Sequence, residues 1–222
     1  MTQQSTIVIA GHAAGFGDAL QERFEIGGYN VVSVPRHGDK RWATDLRDPL
    51  AVARLFDKLD HDVPPVAGVV HNAMQFHHQP FMQTSAQTLQ EVWQSMVMTA
   101  FNVSQQAVTR LQRQGGGSLL FSGASGSLRA GPQFSAFSSA KFALRGLCQA
   151  LVREHSHEGI HVAHVIVDGL IRSERTTQRF AQADVAHMIE PSDLAEQYWQ
   201  LFHQPRSVWT HELDVRPMAA DS

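Results

Sequence analysis

The feature that most limits what this chain can fold into is an alternation. Short runs that are apolar along their whole length recur: "TIVIA" (6–10), "NVVSV" (30–34), "VAGVVHNA" (66–73), "GSLLFSG" (117–123) and "HVAHVIVDG" (161–169). A last run, "ELDV" (212–215), lies near the C-terminus. A strand without a polar face has to be covered on both sides, which is the situation of strands in a parallel sheet. The stretches between them are longer and amphipathic. Strands alternating with helices predict an α/β fold, a doubly wound and mostly parallel sheet with helices on both faces. No linker, repeat or low-complexity segment interrupts the pattern, and the 222 residues suit one core, so the reading is a single domain over 1–222.

Local signals place the helices. "GDALQERFEIGG" (17–28) carries Ala19, Leu20 and Phe24 and stops at a glycine pair. Asp48 before Pro49 is an N-cap and N1 pairing for "DPLAVARLFDKLD" (48–60). The segment 85–117 reads as one or two long helices ended by three glycines. The segment 135–160 reads as a long helix stopping near Gly159, and 191–204 as a short one with Asp193 near its start.

Composition removes several function classes. A net charge of −3 with no basic run lacks the electrostatic footprint of a nucleic-acid binder. No apolar run approaches the roughly 20 residues that span a bilayer. The opening "MTQQSTIVIAGH" has no basic n-region, so no signal peptide is expected. The single cysteine, Cys148, has no internal disulfide partner. These readings together predict a cytoplasmic protein.

"IVIAGHAAGFGDAL" puts Gly11, Gly15 and Gly17 between the first strand and the first helix. Glycines there permit a tight turn and let a pyrophosphate approach the backbone, and the helix N-terminus offers free N–H groups and a partial positive charge. The spacing is G-x-x-x-G-x-G, and the strand–turn–helix context favours a dinucleotide site over a plain tight turn. At the end of the second strand, in "VVSVPRHGDK", Arg36 stands where a carboxylate would bind a ribose 2′-hydroxyl, and no carboxylate precedes Asp39. An arginine there suits a 2′-phosphate and favours NADP over NAD. His37 and Lys40 add positive potential. Asp45, in "ATDLRD", follows a third strand-like patch and is placed to reach an adenine edge.

These elements resemble the short-chain dehydrogenase/reductase family nearly end to end. "GHAAGFG" (11–17), with Phe16 between its last glycines, is similar to the cofactor loop. Asp45-Leu46 is similar to the adenine-contact pair, and "HNAM" (71–74) to the N-N-A-G element, with Asn72 and Ala73 kept and Met74 in place of glycine. "SSAKFAL" (138–144) resembles the segment around the catalytic lysine, "DGLIRS" (168–173) the P-G-x-x-x-T turn beside the nicotinamide, and "WTHELDV" (209–215) the last strand. The resemblance implies a Rossmann sheet, an NAD(P) cofactor, a small-molecule substrate with a carbonyl or hydroxyl group, and a homodimer or homotetramer paired through the two long helices, where Phe101, Phe142 and Leu147 look exposed. It implies cofactor contacts at Gly11, Gly15, Phe16, Gly17, Arg36, Asp45, Leu46, Asn72, Ala73, Lys141 and Ser173.

In that family a tyrosine donates the proton as hydride arrives, a lysine four residues on lowers its pKa, a serine steadies the substrate oxygen and an asparagine holds a relay water. Lys141 matches the lysine. Phe137 stands at the tyrosine position, Ala124 at the serine position with Ser125 beside it, and Val97 at the asparagine position with Asn102 off register. A related enoyl-reductase pattern places the tyrosine where this chain has Phe134. The two tyrosines, Tyr29 and Tyr198, fall away from the nicotinamide position. Lys141 and Ser125 are therefore the catalytic candidates. Thirteen histidines invite a metal, but His161 and His164 point to opposite faces of a strand, His155 and His157 lie at a helix end, and no acidic or cysteine partner completes a set, so no metal is expected. His71 reads as a packing or hydrogen-bonding residue, His77 and His78 border the substrate cleft, and residues 172–189 form a short, polar lid. Two readings remain: an NADP-dependent oxidoreductase with a non-standard site, or an NADP-binding sensor or partner subunit without catalysis.

Overall fold

The computed structural model describes residues 5–38 and 41–218. Six parallel strands form one sheet: β1 (Thr6–Ala10), β2 (Asn30–Val34), β3 (Val66–His71), β4 (Gly117–Ser122), β5 (Ile160–Val167) and β6 (Glu212–Val215). Their order is β2-β1-β3-β4-β5-β6. β1 and β5 are buried at every position, as strands covered on both faces have to be, whereas the edge strand β6 alternates between half-buried and exposed. No strand forms around Asp45 among the described residues; the chain there is held instead by Thr44 N–H donating to the Pro35 carbonyl. Lys40 lies outside the described residues.

Among the described residues there are seven α-helices: α1 (Phe16–Ile26), α2 (Pro49–Asp62), α3 (Ala86–Trp93), α4 (Thr99–Arg113), α5 (Ser135–His155), α6 (Glu174–Arg179) and α7 (Pro191–Phe202). Alternation along the strands divides the core. Val8, Val69, Leu119 and Val162 point toward α2, α4 and α5, and Ile7, Ile9, Val70, Leu120 and Val165 toward α1 and α7. Each such aliphatic side chain contributes roughly 1.5–3 kcal/mol by leaving water. Asp48 caps α2 by accepting from Leu50 N–H, with Pro49 at the first helical position.

Between β3 and β4, residues 86–113 form one continuous helical run in which a π-turn, Gln94–Met98, joins α3 to α4. Beyond it, Asn102 is buried and donates from Nδ2 to the carbonyls of Leu46 (3.0 Å) and Arg47 (3.2 Å). Asn102 is thus an anchor for the Asp45–Arg47 loop. Its replacement by alanine leaves buried carbonyls unpaired and is expected to lower stability by about 1–3 kcal/mol in urea unfolding, with α4 otherwise intact.

Candidate functional site

Strand order reverses between β1 and β3, and the chain leaves both strands at the same end of the sheet. Open α/β sheets form their crevice at such a point. Gly11 follows β1 with φ +89°, and a Cβ on it would lie 2.4 Å from the Ala73 backbone. Asn72 N–H donates to the Ala10 carbonyl at 2.8 Å, fixing the two segments together. Gly15 also has positive φ, and a Cβ there would come within 3.1 Å of the Ser173 Cβ. The glycine loop, the Asn72-Ala73 pair and the loop after β5 therefore meet at one place.

Side chains sort less simply. Phe16 is turned into the core against Tyr198 (5.3 Å between ring centroids), so only its backbone faces the loop. The first-turn N–H groups of Phe16 and Asp18 have no backbone acceptor, while Asp18 takes the Gly15 N–H at 2.9 Å. His12 covers Gly17, its Nε2 lies 3.1 Å from the Asp18 carboxylate, and its buried Nδ1 has no partner. Arg36 is exposed at the end of β2. Asp45 is gripped by Arg47, whose hydrogen bonds hold it at about 2, below the usual carboxylate range. Leu46 is buried and contributes backbone alone. Ser173 caps α6, accepting from Thr176 N–H at 3.1 Å.

The other half of the site stands on α5 and the loop after β4. Lys141 is 1% exposed, and its Nζ donates to the Ser122 carbonyl at 2.7 Å. Burial lowers its pKa from 10.5 to about 8. One turn earlier, the Phe137 ring lies 5.8 Å from Nζ and packs so closely on Gly126 that a Cβ there would sit 3.0 Å from it. Val97, Phe137 and Ala140 share one apolar cluster, with Ala124 and Phe134 against it. Phe76 joins Phe134 and Phe137, and Phe180 reaches Phe76 from the lid at 5.9 Å. The lid is thus less polar on its inner side than its composition implies.

Ser125 lies beside the Asp168 carboxylate and favours its charged form. Burial opposes the charge of Asp168, but the hydrogen bond from Arg129 and the neighbouring Ser125 outweigh it and keep the group below its ordinary value. Tyr198 is fully buried with its hydroxyl 2.8 Å from Ser122 Oγ, and Tyr29 pairs with His203. His71 hydrogen-bonds Thr99 (2.9 Å) and is driven to about 3 by burial and by the Lys141 charge. His164 faces Ser127 (3.3 Å) and Glu212 (3.6 Å) and falls to about 4 for the same two reasons. His161 points the other way and stacks on Trp209. Among the described residues no group of His, Cys, Asp and Glu comes together as a metal site, and no helix is long and apolar enough to cross a membrane. Leu147 is half-buried against the core, unlike Phe101 and Phe142, which are 41% and 44% exposed.

Asp168, Phe76 and Arg47 escaped the sequence reading. Asp168 carried a signal, a carboxylate at a strand end beside Gly169 in the turn next to the site. Phe76 and Arg47 lie in irregular chain, where no periodicity marks direction.

Comparison with known proteins agrees with this layout. The short chain dehydrogenase family model matches residues 5–184. Among curated proteins, the chain is 24% identical over 176 residues to a 3alpha-hydroxysteroid dehydrogenase of Mediterraneibacter gnavus, covering 76% of this chain and 70% of that protein. It is 27% identical over 177 residues to the 3-oxoacyl-[acyl-carrier-protein] reductase MabA of Mycobacterium tuberculosis, covering 77% and 71%. Among solved structures, a short-chain dehydrogenase from Rhodopseudomonas palustris superposes with a TM-score of 0.83 at 27% identity, over 96% of this chain and 99% of that one. ElxO with NADP bound superposes at 0.86 with 16% identity, over 95% and 96%.

The buried ammonium carries a signature in stability. Between pH 8 and 10.5 the unfolded chain keeps the Lys141 proton and the folded chain has released it, so the lysine's contribution to stability rises with pH through that window. The difference in unfolding free energy between wild type and Lys141→Met is expected to move in favour of wild type by roughly 3 kcal/mol across it, measured by urea titration.

Proposed function

The chain belongs to the short-chain dehydrogenase family, whose model spans residues 5–184, and from that premise we propose that it is an NADP-dependent oxidoreductase acting on a carbonyl or hydroxyl group through a non-standard site. The observation that carries this reading is the juxtaposition of the Gly11–Gly17 loop, the Asn72-Ala73 pair and Ser173 in one crevice, with Lys141 on the adjoining helix.

The residues present fit a dinucleotide. Gly11 leaves no room for a Cβ, Gly15 holds a positive φ that disfavours one, and the helix behind them offers unpaired N–H groups. Arg36, exposed and with no carboxylate within salt-bridge distance among the described residues, is the group that would take a 2′-phosphate. Asp45 and Leu46, the latter by backbone, would hold the adenine side, Ser173 and Asn72 would hold the nicotinamide end, and Lys141 would hold its ribose. The solved complex of ElxO with NADP supports the choice of cofactor, as does a second ElxO structure that holds NADPH after one tyrosine is replaced by phenylalanine.

When bound, the reduced nicotinamide supplies hydride to a carbonyl carbon. This chain's residues orient the substrate and exclude water: Phe76, Phe134, Phe137 and Phe180 make a low-dielectric wall, in which electrostatic interactions strengthen. Phe137 provides no acid, and losing a positioned acid typically costs 10²–10⁴-fold in rate. The second reading, a cofactor-binding sensor or partner subunit, is favoured by that missing hydroxyl and by the position of Ser125 beside the Asp168 carboxylate. Exposed Phe101 and Phe142 on α4 and α5 suit pairing into a homodimer or homotetramer.

Calorimetric titration of NADPH and NADH, followed by carbonyl reduction assays with wild type and Phe137→Tyr, tests the function. Binding of NADPH with measurable turnover is the expected result; binding without turnover by either protein selects the sensor reading, and absence of binding removes both. Arg36→Ala is expected to weaken NADPH by about tenfold, some 1.4 kcal/mol, with NADH unchanged.

A further inference from the structure

We propose that Lys141 is itself the acid of the reduction, passing an Nζ proton to the carbonyl oxygen of the substrate with no phenol between them. The proposal rests on the reductase reading above and assigns its missing proton donor.

Its basis is geometric. α5 sets Phe137 and Lys141 one helical turn apart, and the ammonium stands 5.8 Å from a ring that carries no oxygen. An ammonium has three N–H donors. One goes to the Ser122 carbonyl; among the described residues the other two have no acceptor, and no carboxylate lies within salt-bridge distance of Nζ. A lysine closed off from water, without a counter-ion, and beside apolar rings is the environment in which lysines act as acids and bases.

The groups that face it are poor substitutes. His71 from β3 and His164 from β5 are held unprotonated at neutral pH by burial and by the lysine's own charge. Burial pushes the Cys148 thiol, two turns along α5, and the Tyr198 phenol upward, so neither gives up a proton readily. The Glu212 carboxylate is bound by Arg145 and carries no proton near neutral pH. The Ser125 hydroxyl is an alcohol beside the Asp168 carboxylate, far too weak an acid to give up a proton near neutral pH. Lys141 is the remaining buried group that is charged at neutral pH and deprotonates near it. In the step, hydride given up as NADPH is oxidised to NADP+ would form the new C–H bond, the carbonyl π pair would move to oxygen, and that oxygen would take a proton from Nζ as the N–H bond breaks. The neutral amine would regain its proton from solvent admitted to the site as the alcohol leaves.

The test combines a direct titration with kinetics. Protein labelled with [ε-13C]lysine, in complex with NADPH, should show one resonance titrating near pH 8 that is missing from Lys141→Arg. With 4-nitrobenzaldehyde, ethyl acetoacetate and 2,3-butanedione as probes, wild-type kcat should fall tenfold per pH unit above that same value. Arginine keeps the charge and the donors but does not release a proton. Lys141→Arg should therefore lose at least 10²-fold in kcat at NADPH concentrations that calorimetry shows to saturate it. Retention of kcat within tenfold in Lys141→Arg, or a wild-type profile with no limb at the titrated value, overturns the role of Lys141 while leaving the reductase reading in place. No turnover of any probe by a wild type that binds NADPH overturns both. If Lys141→Arg does not fold, agreement or disagreement between the wild-type titration and the wild-type kcat profile decides.

Discussion

The architecture depends on how closely two backbones pass at the switch in strand order. Gly11, leaving β1, runs against Ala73, leaving β3, with no space for even a methyl group between them. Any other residue at position 11 would be strained twice, once by the positive φ and once by the contact. That approach fixes where the first helix begins, and α1 in turn carries Phe16 and Phe24 into the core shared with α7. Gly15 extends the same logic toward Ser173, tying the loop after β5 to the loop after β1. The crevice exists because three chain segments are forced together by small residues, and the helix N-terminus that opens onto it follows as a consequence.

The opposite wall is organised by a buried charge. Lys141 is held against the end of β4 by a single hydrogen bond, and its field helps keep His71 and His164 neutral. Two imidazoles near an ammonium are tolerable when uncharged, and each has a polar neighbour: Thr99 for His71, Ser127 for His164. The π-turn at Gln94–Met98 contributes here too, since it delivers Thr99 to His71 while turning Val97 toward Phe137.

Much of the fold was readable in the sequence because its signals are periodic and local. Apolar runs located the six strands to within a residue or two, Asp48-Pro49 marked the start of α2, and the Gly115–Gly117 run marked the end of α4. The stretch before Asp45 resembled a strand but has no ladder partner; a run of residues states a preference, and pairing decides. At the candidate site, the glycine loop stood out by its place between strand and helix, and Lys141 was singled out by the family resemblance. Less visible were contacts made across distant chain: Asn102 to the Leu46 carbonyl, Asp168 to Arg129, and the rings of Phe76 and Phe180. Each depends on where an irregular segment comes to rest, which no local pattern encodes.

Phe137 is best understood together with its surroundings. Val97 and Ala124 occupy the positions where the family resemblance leads one to expect an asparagine and a serine, and both pack into the same apolar cluster as Phe137. The Phe137 ring packs on Gly126 and beside Phe76 and Phe134, and a polar group buried among such neighbours without a partner costs energy. The three residues therefore support one another: with no asparagine or serine to bond, a phenol would be a liability, and with a phenylalanine present, apolar neighbours are the stabilising choice. Lys141 is the exception within this apolar region, a charge kept where packing alone would favour methionine or leucine. Burial lowers its pKa, and groups perturbed in this way cluster at functional sites.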